Sequence, residues 1–306
     1  MPSFLKRSTR TFANQARKLP GFSILDFLHG YVYARWPYFY IKTALGGTFV
    51  SRIGSLFAKL LMSKNRGNTE SRISERFASG YHGKVLTTRS AARLIRVGAE
   101  IDLRGLERII PYPLARDIVL KNPDFIVALE CPCRSARTAP CLPLDVCLII
   151  GEPFAPFILE HHPGRSRRIS PDEAVRILHA EHQRGHVHHA FFKDAMLGRF
   201  YAVCNCCSCC CGAMQAFRNG VPMLAESGYV CRWSGDDCSG CGKCAQICPF
   251  QALAWKDGEV TVREDACMGC GVCVDACPSG ALTLVRDPSR SLPLEMEGLS
   301  SLGQGK

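Results

Sequence analysis

The segment richest in aromatic residues, 20–50, lacks an unbroken apolar run. Asp26, Arg35 and Lys42 interrupt it before it reaches the roughly 18 to 20 residues that a membrane-spanning helix needs. No apolar h-region or small-residue cleavage site follows the basic start MPSFLKRSTRTFANQARK, so the expected compartment is the reducing cytoplasm. G-x-G-x-x-G and Walker loops are missing too, which leaves nucleotide and flavin binding without support. Helix-turn-helix, zinc-finger and RNP patterns are absent, so nucleic acid is not expected despite a formal net charge of +11. Acidic residues are scarce at one end: residues 1–116 carry 6 Asp and Glu against 20 Lys and Arg, whereas residues 117–306 carry 21 against 18. The basic end is therefore the docking candidate. It suits a redox partner protein, peripheral association with the inner face of a membrane through residues 20–50, or an ordinary helix covering a core.

What is abundant is cysteine, 19 in 306 residues. A chain this long builds real cores and needs no disulfide scaffold. In a reducing compartment, dense cysteine means metal binding or redox work. Two segments repeat with a 29-residue offset, DDCSGCGKCAQICPFQALAW and EDACMGCGVCVDACPSGALTL, each holding C-x2-C-x2-C-x3-C-P. This is the spacing of a two-cluster run in which the fourth cysteine of each copy ligates the other cluster. Cys238, Cys241, Cys244 and Cys277 are then assigned to one [4Fe-4S] centre, and Cys267, Cys270, Cys273 and Cys248 to the other. Zinc sites use paired C-x2-C motifs instead. Over about residues 228–287 the chain resembles bacterial two-[4Fe-4S] ferredoxins. The resemblance implies a small pseudo-twofold α+β unit, with strands at YVCRW, EVTV and LTLV and a short helix after each cysteine run.

Upstream lie ten more cysteines in two groups: Cys131, Cys133, Cys141 and Cys147, then the six of CNCCSCCCG, residues 204–212. A strand over 125–130 delivers Cys131 and Cys133, and a strand from Phe200 to Val203 ends in Cys204. Asn205 is placed as the cap of a helix running to Arg218, with Cys206, Cys209 and Cys210 on one face and Cys207 and Cys211 on the next. One cluster uses four of the ten thiols and leaves six; two clusters use eight. The expected ligands of an additional Fe-S centre are Cys131, Cys133 and Cys141 with partners from Cys206, Cys207 and Cys210. Zinc and redox-exchanging thiols stand as alternatives, and Cys231 is read as structural.

Seven of the nine histidines, His161, His162, His179, His182, His186, His188 and His189, fall between the two groups. Ser170, Pro171, Asp172 and Glu173 form a capping box with proline at the first position, and Gly185 stops that helix. His179, His182 and His186 are either a metal site or proton donor beside the cluster, or a polar helix face. The order of CPCR, EHHPGRSRRIS, HVHHAFFKDAMLGRF, the six-cysteine run and the duplicated tail is similar to that of multi-cluster 4Fe-4S proteins of anaerobic bacteria, a likeness that supplies no substrate. Cys210, Cys211 and Gly212 resemble the CCG element of heterodisulfide reductase catalytic subunits, but one such element is present rather than two.

The expected fold class is α+β: a C-terminal ferredoxin-like domain joined to an N-terminal mixed α/β Cys/His-rich domain. The expected divisions are a basic aromatic docking segment over 1–65, the Cys/His-rich domain over 66–225, the two-cluster domain over 226–288 and a flexible tail over 289–306, with a polar linker at 62–72. Two functions compete. One is an electron-transfer protein that passes low-potential electrons between redox partners. The other is a terminal reductase with a substrate-accessible cluster in the Cys/His-rich domain.

Overall fold

The structure is a computed structural model that describes residues 6–21, 23–46, 80–103, 109 and 118–295. The linker at 62–72 lies outside the described residues. The helices that open the chain are α1 (Arg7–Arg17), α2 (Ile24–Arg35) and α3 (Pro37–Ala44). Next come β1 (Tyr81–Leu86), α4 (Thr88–Ile95), β2 (Ile101–Leu103) and the long β3 (Ile118–Leu129). A short helix α5 (Pro132–Ser135) leads to β4 (Cys147–Glu152), α6 (Phe154–His161), β5 (Ser166–Ile169) and α7 (Pro171–Gln183). The strands β6 (Val187–Lys193) and β7 (Arg199–Cys206), α8 (Gly212–Arg218) and β8 (Leu224–Ala225) complete this part.

The strands form one eight-stranded sheet in the order β2-β3-β4-β7-β6-β1-β8, with β5 also paired to β3. Every pairing is antiparallel except β1 with β8. Alternation along the strands sends apolar residues to both faces: Val127, Leu129 and Ile149 join one buried cluster, and Ile126, Ala128, Leu148 and Ile150 the other. A sheet buried on both sides needs a layer on each. On the first face Phe12 of α1 packs edge-on against Phe154 and Phe157 of α6, with ring centroids 5.7 Å apart in both cases. On the second, α4 contributes Leu94 and Ile95, and α7 contributes Ala174, Val175 and Leu178.

Local signals account for several element ends. Ser170 Oγ accepts a hydrogen bond from the Glu173 amide at 3.2 Å, and Pro171 occupies the first turn of α7, as the capping box predicts. Thr87 caps α4 in the same way. The helix expected from Asn205 to Arg218 is not formed as such. Instead β7 runs through Cys206, with Asn205 opposite His188 and Cys206 opposite Val187, and helix begins only at Gly212. Ladder pairing with β6 outweighs a local capping preference there.

The last part contains β9 (Tyr229–Trp233), α9 (Lys243–Ile247), β10 (Leu253–Lys256), β11 (Glu259–Val262), α10 (Val272–Asp275) and β12 (Leu282–Arg286). β9 pairs with β12 and β10 with β11, both antiparallel. The short helices begin one residue before the third cysteines, inside the cysteine runs rather than after them.

Two ends of the chain pack against the sheet. Within residues 7–44, Phe12, Ala16 and Ala34 are buried in the same core as β3 and β4, as a helix covering a core would be. Of the expected flexible tail, residues 289–295 are anchored. Ser291 donates from its amide and hydroxyl to Glu226, at 2.8 and 2.6 Å. Lys84 Nζ donates to Ser291 Oγ at 2.7 Å, and Leu294 is buried in the second-face cluster. Ile24, Leu25, Leu28, Val32, Trp36 and Phe39 leave apolar surface exposed on α2, α3 and the turn between them. Among the described residues, no helix is long and apolar enough to cross a membrane.

Candidate metal centres

The duplicated cysteines of the C-terminal part gather into two groups. Cys238, Cys241, Cys244 and Cys277 line one small pocket, and Cys248, Cys267, Cys270 and Cys273 line another. Each fourth cysteine thus sits with the first three of the other run. The donor sets fit thiolate-bound clusters, and backbone amides point at the sulfurs: Gly240 N–H to Cys238 Sγ at 3.5 Å, Ala252 N–H to Cys248 Sγ at 3.3 Å, and Cys231 N–H to Cys267 Sγ at 3.4 Å. Such donors stabilise the negative charge of a thiolate-ligated centre. Cys231 is more than packing: its Sγ lies 3.6 Å from Cys273 Sγ. Its position two residues into a strand beside the run was the signal available in the sequence.

The two pockets differ in setting. The first is near the surface, with Cys241 exposed and Cys238 and Cys277 half-buried. The second packs against the large sheet domain. Met268, Cys270 and Val272 belong to the first-face core, and Ser227 donates from its hydroxyl to the Gly269 carbonyl at 2.7 Å. Gly269 has φ +65°, and a Cβ there would stand 2.2 Å from the Tyr229 carbonyl oxygen, so only glycine allows the loop this close. His182 Nε2 reaches Asp275 at 2.7 Å across the same junction, and Phe250 packs edge-on against Phe217 of α8.

Upstream, the sheet itself assembles the thiols. β3 and β7 flank β4 and run antiparallel to it, so the carboxyl ends of β3 and β7 and the amino end of β4 share one edge. Cys147 faces Cys204 directly across the β4-β7 ladder. Cys204 and Cys206 point to one face by strand alternation, and Cys131 follows β3 on the same side.

From that edge the ten thiols divide into two groups. Cys141, Cys207, Cys209 and Cys210 have all their sulfurs within 4.8 Å of one another, with Cys141 and Cys209 at 2.9 Å and Cys209 and Cys210 at 3.6 Å. The loop carrying three of them is tied by its carbonyls: Arg137 donates to Cys210 O at 3.1 Å, Gln215 to Cys209 O at 2.8 Å, and Arg218 to Ser208 O. The other six, Cys131, Cys133, Cys147, Cys204, Cys206 and Cys211, line a cavity of about 420 Å³, which Cys207 of the quartet also borders. The candidate set Cys131, Cys133, Cys141, Cys206, Cys207 and Cys210 spans the quartet and the cavity wall, with Cys207 in both. Cys141, Cys207 and Cys210 fall in the quartet, and Cys131, Cys133 and Cys206 in the cavity wall. Cys210 is parted from Cys211, whereas Cys207 belongs to the quartet and also touches the cavity beside Cys206.

The thiols perturb one another. Hydrogen bonding to Cys133, together with burial, pushes the Cys131 thiol up to about 12. A hydrogen bond from Cys211 favours the Cys206 thiolate, yet burial still pushes it up to about 12. Burial, followed by its hydrogen bond to Cys209, raises Cys141. Without a cation, these groups hold their protons. A bound metal supplies the positive charge that thiolates need here.

Polar residues outside the expected ligand set brace this edge. Arg134, fully buried beside Cys133, donates to Glu181 Oε2 at 2.5 Å, to Pro143 O at 2.5 Å and to Asn205 O at 3.1 Å. His186 Nδ1 is 2.7 Å from Glu181 Oε2. Burial opposes ionisation of Glu181, but the His186 and Arg134 hydrogen bonds hold its carboxyl below the usual value. Asn205 amide donates to Val146 O at 2.7 Å, and its Oδ1 lies 2.6 Å from His188 Nδ1. His179 is exposed, whereas His182 and His186 are buried in different contacts. The three do not converge on a metal site. Arg134 was legible only as the residue after a C-x-C pair; Glu181 carried no local signal.

Residues 237–281 match the family of 4Fe-4S dicluster domains. The C-terminal part is accordingly a 4Fe-4S ferredoxin-type domain, joined to an α+β domain that carries the other thiol groups. No curated protein matches the chain.

Proposed function

We propose that the protein is a multi-cluster iron–sulfur electron-transfer protein that passes low-potential electrons between redox partners. The observation that carries this reading is the placement of the Cys248/Cys267/Cys270/Cys273 pocket against the sheet domain whose edge gathers ten further thiols. Cys238, Cys241, Cys244 and Cys277 would hold one [4Fe-4S] cluster and Cys248, Cys267, Cys270 and Cys273 the other, each supplying a one-electron couple. The half-exposed first group is the entry or exit for a partner protein. The second, walled by Met268, Val272 and Ser227, faces inward.

Cys141, Cys207, Cys209 and Cys210 supply four thiolates for a third centre, with Arg137, Gln215 and Arg218 fixing the loop that carries them. Complete four-thiolate ligation leaves no open position there and favours transfer over terminal reduction. A second reading of this quartet is a single tetrahedral zinc ion. Sulfurs within 4.8 Å approach the tetrahedral edge of about 3.8 Å implied by ~2.3 Å Zn–S bonds. Anaerobic iron, zinc and acid-labile sulfide analysis of the wild type and of the Cys207→Ser/Cys209→Ser/Cys210→Ser variant decides between them. Loss of about four irons with matching sulfide is expected. Loss of a single zinc selects the second reading, and unchanged metal removes the quartet as a site.

A further inference from the structure

The six thiols outside the quartet have a geometry of their own. Cys147 and Cys204 face each other across the β4-β7 ladder, and Cys131, Cys133, Cys147, Cys204, Cys206 and Cys211 all line one cavity. The six therefore ring one space, with Cys207 of the quartet also on its wall. The ring is assembled from four places in the chain: the end of β3 and start of α5, the start of β4, the end of β7, and the start of α8. Nothing in local chain geometry requires that convergence.

Buried thiols as packing would be expected to meet apolar neighbours at close-packed density. Here they border a cavity of about 420 Å³. Its remaining wall includes Tyr33, Tyr81, Tyr201, Leu45, Phe191 and Met223. The register of β6 and β7 slips by one residue opposite Tyr201, the kind of bulge that re-aims a side chain beside a site. Tyr201 meets Tyr33 hydroxyl to hydroxyl at 2.8 Å. The buried Arg134 and its partner Glu181 brace one side of the ring through Asn205 O.

We infer that Cys131, Cys133, Cys147, Cys204, Cys206 and Cys211 form a second upstream metal centre, adjoining the quartet at Cys207, that binds an iron–sulfur cluster. One tetrahedral zinc uses four thiolates, leaving two of the ring unused and the cavity unexplained. A cluster of several irons fills more of the space and accepts more of the donors. Adjacent residues couple the two centres: the peptide links 206–207 and 210–211 each join a ring thiol to a quartet thiol. This inference rests on the iron–sulfur reading of the chain, but not on the metal of the quartet.

The test uses the full chain, purified anaerobically and reconstituted with iron and sulfide. In the Cys207→Ser/Cys209→Ser/Cys210→Ser variant, the ring and the ferredoxin domain remain, and about twelve irons are expected at four per cluster. About eight irons in that variant would overturn the ring centre. The reciprocal Cys131→Ser/Cys147→Ser/Cys206→Ser variant should lose about four irons and their sulfide while keeping whatever metal the quartet holds. Unchanged iron, or loss of zinc instead, overturns the inference. If neither variant folds, the wild type decides by metal analysis, ⁵⁷Fe Mössbauer integration and alkylation mapping. At least about twelve irons, with Cys131, Cys147 and Cys206 protected from alkylation before chelation and labelled after it, support the ring; about eight irons, or the same labelling of these three before and after chelation, refute it. Failure of the quartet reading appears separately, as wild-type zinc or as no metal lost from the quartet variant.

Discussion

The ferredoxin-type domain and the upstream thiol edge solve the same problem, gathering sulfurs, in opposite ways. In the first, three of every four thiols come from one loop of seven residues, Cys238–Cys244 or Cys267–Cys273, and only the fourth crosses over. In the second, Cys147 and Cys204 meet as a cross-strand pair, Cys131 arrives from the strand on the far side of β4, and Cys141 reaches the run at 207–210 from about seventy residues away. Spacing along the chain reports the first kind of site because a tight loop fixes which sulfurs can converge. It is nearly silent on the second, where the ladder register does the gathering.

The largest expected effect tests whether the upstream edge depends on tertiary bracing. Arg134→Met leaves Glu181 buried beside His186 without its principal cation. Breaking a buried pair in this way costs about 3–5 kcal/mol. Denaturant unfolding of the sheet domain should shift to lower midpoints, with upstream metal lost and the EPR signals of the two C-terminal centres retained. An unchanged midpoint would show that the ladder alone holds the thiols together.

A smaller effect is expected for the local site. Gly269→Ala puts a Cβ against the Tyr229 carbonyl at a residue with φ +65°, a strain of about 1–3 kcal/mol. Iron should become labile at the centre of Cys248, Cys267, Cys270 and Cys273, while upstream metal stays. If metal analysis after partial chelation finds both regions equally affected, the two are not independent.

The mildest prediction concerns acid. Burial, then the charges of Lys6 and Arg35, lower His161 from 6.5 to about 4. Between these values the unfolded chain takes up a proton that the folded one refuses. Stability from this group is therefore complete above pH 6.5 and declines as pH falls toward 4, by up to about 1.4 kcal/mol per unit. His161→Gln should flatten the pH dependence of unfolding of the sheet domain over that window, leaving the C-terminal centres' spectra unaltered. An identical slope in the variant would assign the acid sensitivity to other groups.

The repeat C-x2-C-x2-C-x3-C-P was sufficient to place the ferredoxin-type domain, because its geometry is set within a few residues and by glycines that let backbone approach sulfur. The capping box at Ser170–Glu173 was readable for the same reason: a cap is a local hydrogen bond. Asn205 shows the limit. Its capping preference is real, but β6 offers a full ladder, and the strand continues through Cys206. That decision set Cys206 in the cavity wall and brought Cys207 to Cys141, Cys209 and Cys210, spreading a set of thiols that looks single in one dimension. Likewise, the sequence left open whether the basic aromatic segment docks a partner or covers a core, and Phe12 packs against Phe154 and Phe157; residues 289–295 look like a tail until Leu294 is found in the core. Chain-local physics determined the cysteine runs, the helix start at Ser170 and the charge asymmetry. Strand order and register decided which thiols share a site, because contacts between distant residues depend on how the whole sheet packs, and no spacing along the chain encodes that.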